Sequence, residues 1–108
     1  MAYDEALAER VRERLGGEPA LTERKMFGGI AWMLGGNMAV GLMKDGMLVR
    51  LGDEAEAAAS EPHASQPMMG TRPMKGMVLV APEGVASDAQ LGAWIERGAA
   101  VARSLPPK

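Results

Sequence analysis

Cysteine is absent from this 108-residue sequence, and aromatic side chains are scarce, with one Phe, one Tyr and two Trp. The lack of cysteine excludes disulfides, thiolate metal sites and cysteine nucleophiles, and it is typical of proteins from a reducing compartment. The single histidine, His63, follows Pro62 in a polar segment, and we interpret it as a surface residue rather than a base or a metal ligand. No apolar run approaches the roughly 20 residues of a membrane span, and the N-terminus has no signal-peptide character. We therefore expect a cytoplasmic protein without a membrane contact.

Strong net charge is also missing, since the formal charge is −2 and the pI is about 5.4. Nucleic-acid-binding domains are usually basic, so this balance disfavours direct nucleic-acid binding but leaves a local basic patch open. What the sequence does have is methionine, ten in all. Methionine fills irregular gaps in cores, whereas a thioether copper site is disfavoured without cysteine and with one histidine. We predict one domain over residues 1–108, with no metal and no cofactor.

The strongest periodicity lies in residues 25–52. Large apolar residues recur at every second position over residues 30–34, 38–43 and 47–51, which predicts three antiparallel strands. Gly35-Gly36-Asn37 and Lys44-Asp45-Gly46 between them predict hairpin loops. The predicted large face comprises Ile30, Trp32, Leu34, Met38, Val40, Leu42, Met47, Val49 and Leu51. Helices are expected to cover this face, while Ala39 and Gly41 leave room on the other.

Helix signals flank this region on both sides. Asp4 is placed to cap a helix that runs to Leu15, and Ser87, with Gln90 three residues later, to cap the last one. Gly98 lies within the continuous apolar stripe of that last helix, and we expect a close backbone contact there.

The segment between strands and last helix is less regular. Asp53 and Glu56 resemble a capping box that opens a short middle helix, and Pro62 ends it. An edge strand is predicted at Met68-Met69 and a final strand over residues 74–81. The predicted fold is α+β: an N-terminal helix, an antiparallel meander of four to five strands, a short middle helix, and a C-terminal helix packed on the sheet.

Four basic residues form the candidate binding site: Arg50, Arg72, Lys75 and, as a weaker candidate, Lys25. Alternation turns Arg50 away from the apolar face, and we expect it to converge with Arg72 and Lys75 on an acidic peptide or a small anion. The competing interpretation is that Arg50 faces solvent or pairs with Asp53 or Glu54. No spacing indicates a catalytic constellation.

Three motifs resemble the N-terminal domain of the TfoX (Sxy) competence-regulator family. They are Lys25-Met26-Phe27-Gly28-Gly29, Leu48-Val49-Arg50-Leu51-Gly52 and Gly70-Thr71-Arg72-Pro73-Met74-Lys75-Gly76. The tail from Trp94 to Lys108 is similar to that of stand-alone members. The resemblance implies an α+β domain with a regulatory, non-enzymatic role, because the named members promote transcription of competence genes. Those regulators carry a second, C-terminal domain, so we expect a stand-alone small member here.

The expected function is thus a small non-catalytic interaction or regulatory module with a protein partner. One alternative is a binding protein, or an enzyme, that binds an anion or small ligand through the basic cluster. A second alternative is a nucleic-acid-binding protein. Edge strands of a meander favour a two-fold homodimer. Phe27, the one phenylalanine, is expected in the core.

Overall fold

The computed structural model describes residues 3–26 and 28–107, and all of Met69 except its side chain. The predicted α+β architecture is confirmed. The helices are α1 (Glu5–Leu15), α2 (Ala55–Ala58) and α3 (Asp88–Ser104). The strands are β1 (Leu21–Met26), β2 (Gly29–Leu34), β3 (Asn37–Met43), β4 (Gly46–Arg50), β5 (Ala64–Ser65), β6 (Met68–Met69), β7 (Arg72–Pro73) and β8 (Met77–Val80). No helix in these described ranges has the length and apolar character that a membrane crossing needs.

The main sheet is antiparallel, with six strands in the order β1-β2-β3-β4-β8-β5, and β6 and β7 form a separate hairpin. It therefore exceeds the predicted four to five strands, mainly because the sequence analysis placed no strand before residue 30, where β1 lies. This strand lies at the edge of the sheet, and its four central residues are exposed. Without a buried face it has no apolar alternation to reveal it.

One face of the sheet carries all three helices. Their buried side chains join Trp32, Val40 and Val49 in one core cluster, and the exposure of Trp32 is 0%. The predicted caps are confirmed: Asp4 accepts from the amides of Ala6 and Leu7, and Ser87 forms a reciprocal capping box with Gln90. The helices thus begin where the sequence predicted.

A β-bulge in β3 corrects the predicted facing of that strand. Trp32 pairs with Val40 but Met33 pairs with Met38, so Ala39 is an extra residue in β3. The prediction that Met38 continues the large apolar face was wrong, because this insertion shifts the alternation by one residue. Ala39 instead joins the core cluster beside Val40.

Gly98 makes the close contact that was predicted for α3. A Cβ at this position would lie 2.5 Å from the carbonyl oxygen of Ala39 and 3.0 Å from Cγ1 of Val40. The bulged residue of β3 therefore touches the backbone of the helix.

The middle segment corrects the predicted capping box. Gly52–Glu54 form a 3₁₀ turn that leads into α2, and neither Asp53 nor Glu54 makes a side-chain capping bond. Two features replace the predicted cap. Gly52 has φ +58, and the amides of Leu51 and Gly52 both donate to the carbonyl of Gly76, which fixes the turn that precedes α2. Ala55 and Ala58 form the buried face of α2.

The Met-Phe-Gly-Gly motif closes the β1–β2 hairpin, where Met26 pairs with Gly29. Gly28 has φ +72, which side chains other than glycine rarely adopt, and a Cβ on Gly29 would lie 2.0 Å from the carbonyl oxygen of Leu42. Both glycines are thus required by the backbone. Phe27, predicted as core, lies outside the described residues.

Candidate interaction surface

The second face of the main sheet carries no helix of the described chain. Its side chains follow from the register, because residues paired across antiparallel strands share a face. Here the methionine face denotes Met26, Ala31, Met33, Met38, Gly41, Met43, Leu48, Met77 and Leu79. Five of the ten methionines of the chain therefore lie on this one face. None of these residues belongs to the core cluster under the helices.

The thioether side chains surround two buried residues of the same face. Ala31 and Leu48 are only 1% and 2% exposed, whereas Met26, Met38 and Met43 around them are half-buried. These residues enclose a crevice of about 10 Å³, roughly the space of one water molecule. Methionine is unbranched and flexible, so this layer can repack around an apolar partner.

The space expected beside Gly41 is filled. The terminal carbon of Met38 lies 2.8 Å from where a Cβ of Gly41 would be, and Ala39 has turned into the core. The prediction of a concave gap on β3 next to Arg50 was therefore wrong, because the bulge brings Met38 onto this face.

Two cations flank the methionine face. Arg24 pairs with Ala31 at one side and Arg50 pairs with Met77 at the other, and the second-face positions of the described strands carry no carboxylate. The ion pairs described between residues 3 and 107 are instead made by Arg10, Arg12, Arg97 and Arg103. Within these ranges, Arg50 forms no ion pair with Asp53 or Glu54, the competing interpretation from the sequence.

The predicted basic cluster is only partly assembled. The Leu51 amide donates to the Gly76 carbonyl at 2.8 Å, which places the Cα atoms of Arg50 and Lys75 within about 11 Å. Arg72 lies on the exposed strand β7, three residues before Lys75 in the sequence. Lys25 pairs with Ile30, so it shares the helix-covered face and lies three strands from β4. The structure therefore does not bring Lys25 together with the others, and a ligand shared by the remaining three stays a prediction.

Lys75 also lines an open cleft of about 650 Å³ between the turn at Gly52 and β7. Asp53 and Glu56 line the same cleft, together with Gln66. Two carboxylates thus oppose one ammonium group, which makes the local charge unfavourable for an anion. Gln66 donates to the carbonyls of Pro67 and Met74, so its amide holds the cleft wall. The ranges that the structure describes contain no group of three metal-ligating side chains.

A charged cluster on the helix-covered face links α1, β1 and β2. The buried indole N–H of Trp32 donates to Oε1 of Glu23 at 2.9 Å, and Arg12 donates to both oxygens of that carboxylate. Arg12 also pairs with Glu9. The hydrogen bond from Arg12, more than any other contact, lowers the pKa of Glu23, and the Trp32 indole adds to this. The cluster fixes the edge strand to the core.

Sequence reasoning missed Arg24 and the methionine face. Arg24 lies in a strand that carried no apolar pattern, and Met38 was assigned to the opposite face. The available signal was the spacing of Ala31 and Met33, which alternate with Ile30 and Trp32 and so must lie opposite the core.

Comparison with known protein families identifies a match over most of the chain. A family model described as the TfoX N-terminal domain matches residues 13–102. No curated protein and no solved structure matches the chain significantly.

Proposed function

The chain belongs to the TfoX N-terminal domain family, and on this premise we propose that it is a small, non-catalytic regulatory module that acts by binding another protein in the cytoplasm. The observation that carries the proposal is the methionine face. All helices of the described chain pack on the opposite face, so this apolar surface is left to solvent or to a partner. Met26, Met33, Met38 and Met43 keep part of their surface exposed on this face, and contiguous apolar patches that stay exposed mark interaction sites.

Half-buried methionines suit a regulatory contact. Their flexible side chains adapt to the shape of a partner, and methionine is enriched at interfaces. Family membership supports extending the proposal to regulation related to competence.

Affinity capture from a native lysate tests the proposal with a matched pair of variants. The double variant Met33→Gln/Met43→Gln makes the methionine face polar while keeping side-chain length. Met68→Gln is the control, because Met68 is 53% exposed on the separate β6–β7 hairpin. We expect wild type and Met68→Gln to enrich the same protein, and the double variant to lose it at an unchanged melting temperature.

The proposal fails if no protein is enriched over a denatured bait. It also fails if the folded double variant captures the same protein as wild type, since the methionine face would then not be the contact.

A further inference from the structure

The charges around the methionine face point to the chemistry of its partner. We propose that this face binds an acidic amphipathic helix of a partner protein, with two carboxylates of the helix paired to Arg24 and Arg50 and its apolar side chains packed on the thioethers. The inference rests on the proposed protein-binding function and specifies the partner that the surface fits.

Charge segregation is the first argument. Most arginines of the helices pair with carboxylates: Arg10 with Asp88, Arg97 with Glu61, and Arg103 with both Glu18 and Glu96. Arg14 instead donates to the backbone carbonyl of Asp88. Arg24 and Arg50 have no such partner within residues 3–26 and 28–107. A carboxylate supplied from outside would complete the same pairing, and the guanidinium group can bind it through two hydrogen bonds.

The spacing of the two arginines is the second argument. Three strand intervals separate β1 from β4, which is about 14 Å, and Arg50 lies two residues beyond the row of Arg24. Their Cα atoms are therefore about 16 Å apart. Three turns of α-helix span about 16 Å, so acidic residues eleven positions apart lie on one side of a helix at this distance.

The surface between the arginines is apolar along this line. It passes over the second-face residues of β2 and β3, which are Ala31, Met33, Met38 and Gly41. A helix with apolar side chains between its two acidic positions would therefore meet thioethers and no competing charge, as in other helix-binding surfaces rich in methionine.

Other occupants fit less well. A second copy placed face to face would bring only cations against cations, because the second-face strand positions described carry no carboxylate. A nucleic-acid backbone would find two arginines beside an apolar layer, too few cations for phosphate-driven binding.

The test uses the full chain and a library of helical peptides about 18 residues long. The peptides share two Glu residues eleven positions apart and vary in their apolar side chains, and a matched library has Lys at both positions. Binding of selected peptides is measured by fluorescence anisotropy to wild type, to Arg24→Glu/Arg50→Glu, and to Lys25→Glu. Lys25 is the matched control, because it neighbours Arg24 in β1 but shares the opposite face.

We expect wild type to select Glu peptides over Lys peptides. The double variant should bind the Glu peptides roughly 10- to 30-fold more weakly and accept Lys peptides instead, whereas Lys25→Glu should change affinity less than about threefold. Binding should also weaken as salt rises.

Equal selection of both libraries, or an equal loss in Lys25→Glu, would overturn the proposal. So would dimerisation of the wild-type chain that Met33→Gln/Met43→Gln abolishes, since a second copy would then occupy the face. In the first two cases, lysate capture through the methionine face would still stand, so the acidic helix and the proposed function fail separately.

Discussion

Replacing Gly98 with alanine tests how closely α3 approaches the sheet. In an open helix this change stabilises by about 1 kcal/mol, because alanine has the higher helix propensity. Here the new Cβ would lie 2.5 Å from the carbonyl oxygen of Ala39 and 3.0 Å from Cγ1 of Val40. The closer atom belongs to the backbone of a central strand, so α3 itself must move outward.

Overpacking of this kind typically costs about 1–3 kcal/mol, and the clash with a backbone atom favours the upper end. After subtracting the propensity gain, we expect Gly98→Ala to lower the free energy of unfolding by about 2 kcal/mol. Gly92→Ala in the same helix is the matched control. The three atoms nearest its Cβ all belong to the guanidinium group of Arg14, the closest at 2.4 Å. That flexible side chain can swing away, at the loss of one exposed hydrogen bond to the Asp88 carbonyl.

Guanidinium denaturation, followed by the fluorescence of the buried Trp32 and Trp94, measures both variants. Gly92→Ala should be neutral or slightly stabilising, and the two variants should differ by about 2 kcal/mol or more. If Gly98→Ala is as stable as Gly92→Ala, α3 does not lie against Ala39 and the reasoning about the bulge is wrong.

Three further outcomes are expected. Glu23→Ala leaves the buried indole N–H of Trp32 without an acceptor and should lower the free energy of unfolding by about 1–3 kcal/mol in denaturant melts. Glu23→Gln keeps an acceptor and should lower it less. Equal losses of stability in the two variants would contradict this role of Glu23. The pKa values of Glu18 and Glu23 are lowered, chiefly by hydrogen bonds from Arg103 and Arg12, so their stabilisation is present above the ordinary glutamate pKa and is lost as pH falls through the lowered values. The melting temperature of Glu18→Gln/Glu23→Gln should therefore approach that of wild type as pH falls below about 4.3, and a constant gap would argue against these pairs. The exposed edge of β1 leads us to expect a weak two-fold dimer. Sedimentation of the protein at roughly tens of micromolar should detect this dimer, and a clean monomer at that concentration would exclude it.

The sequence was most informative where local chemistry decides the structure. Helix caps at Asp4 and Ser87 need only a side-chain oxygen and the amides that follow, so they were predicted from a few neighbouring residues. The glycine-rich hairpin at Gly35-Gly36 was likewise predicted, and its φ angles of +62 and +83 suit a tight two-residue turn.

Prediction failed where tertiary contacts decide. The apparent capping box at Asp53 fits the residue pattern, but the bonds from Leu51 and Gly52 to Gly76 impose a different turn. The strand Leu21–Met26 has no apolar face of its own, and its pairing with β2 defines it. For the candidate site, alternation correctly placed Arg50 on the face of β4 that Val49 does not share. No local pattern indicated that Arg24 lies on the same face as Arg50.

One extra residue in β3 links the core to the methionine face. Without it, alternation would place Met38 under α3 and Ala39 on the second face, where a methyl group covers little of Gly41. With it, the small Ala39 lies under the helix, where only glycine at position 98 fits, and Met38 covers Gly41. The close packing of α3 and the methionine layer are therefore two consequences of the same bulge.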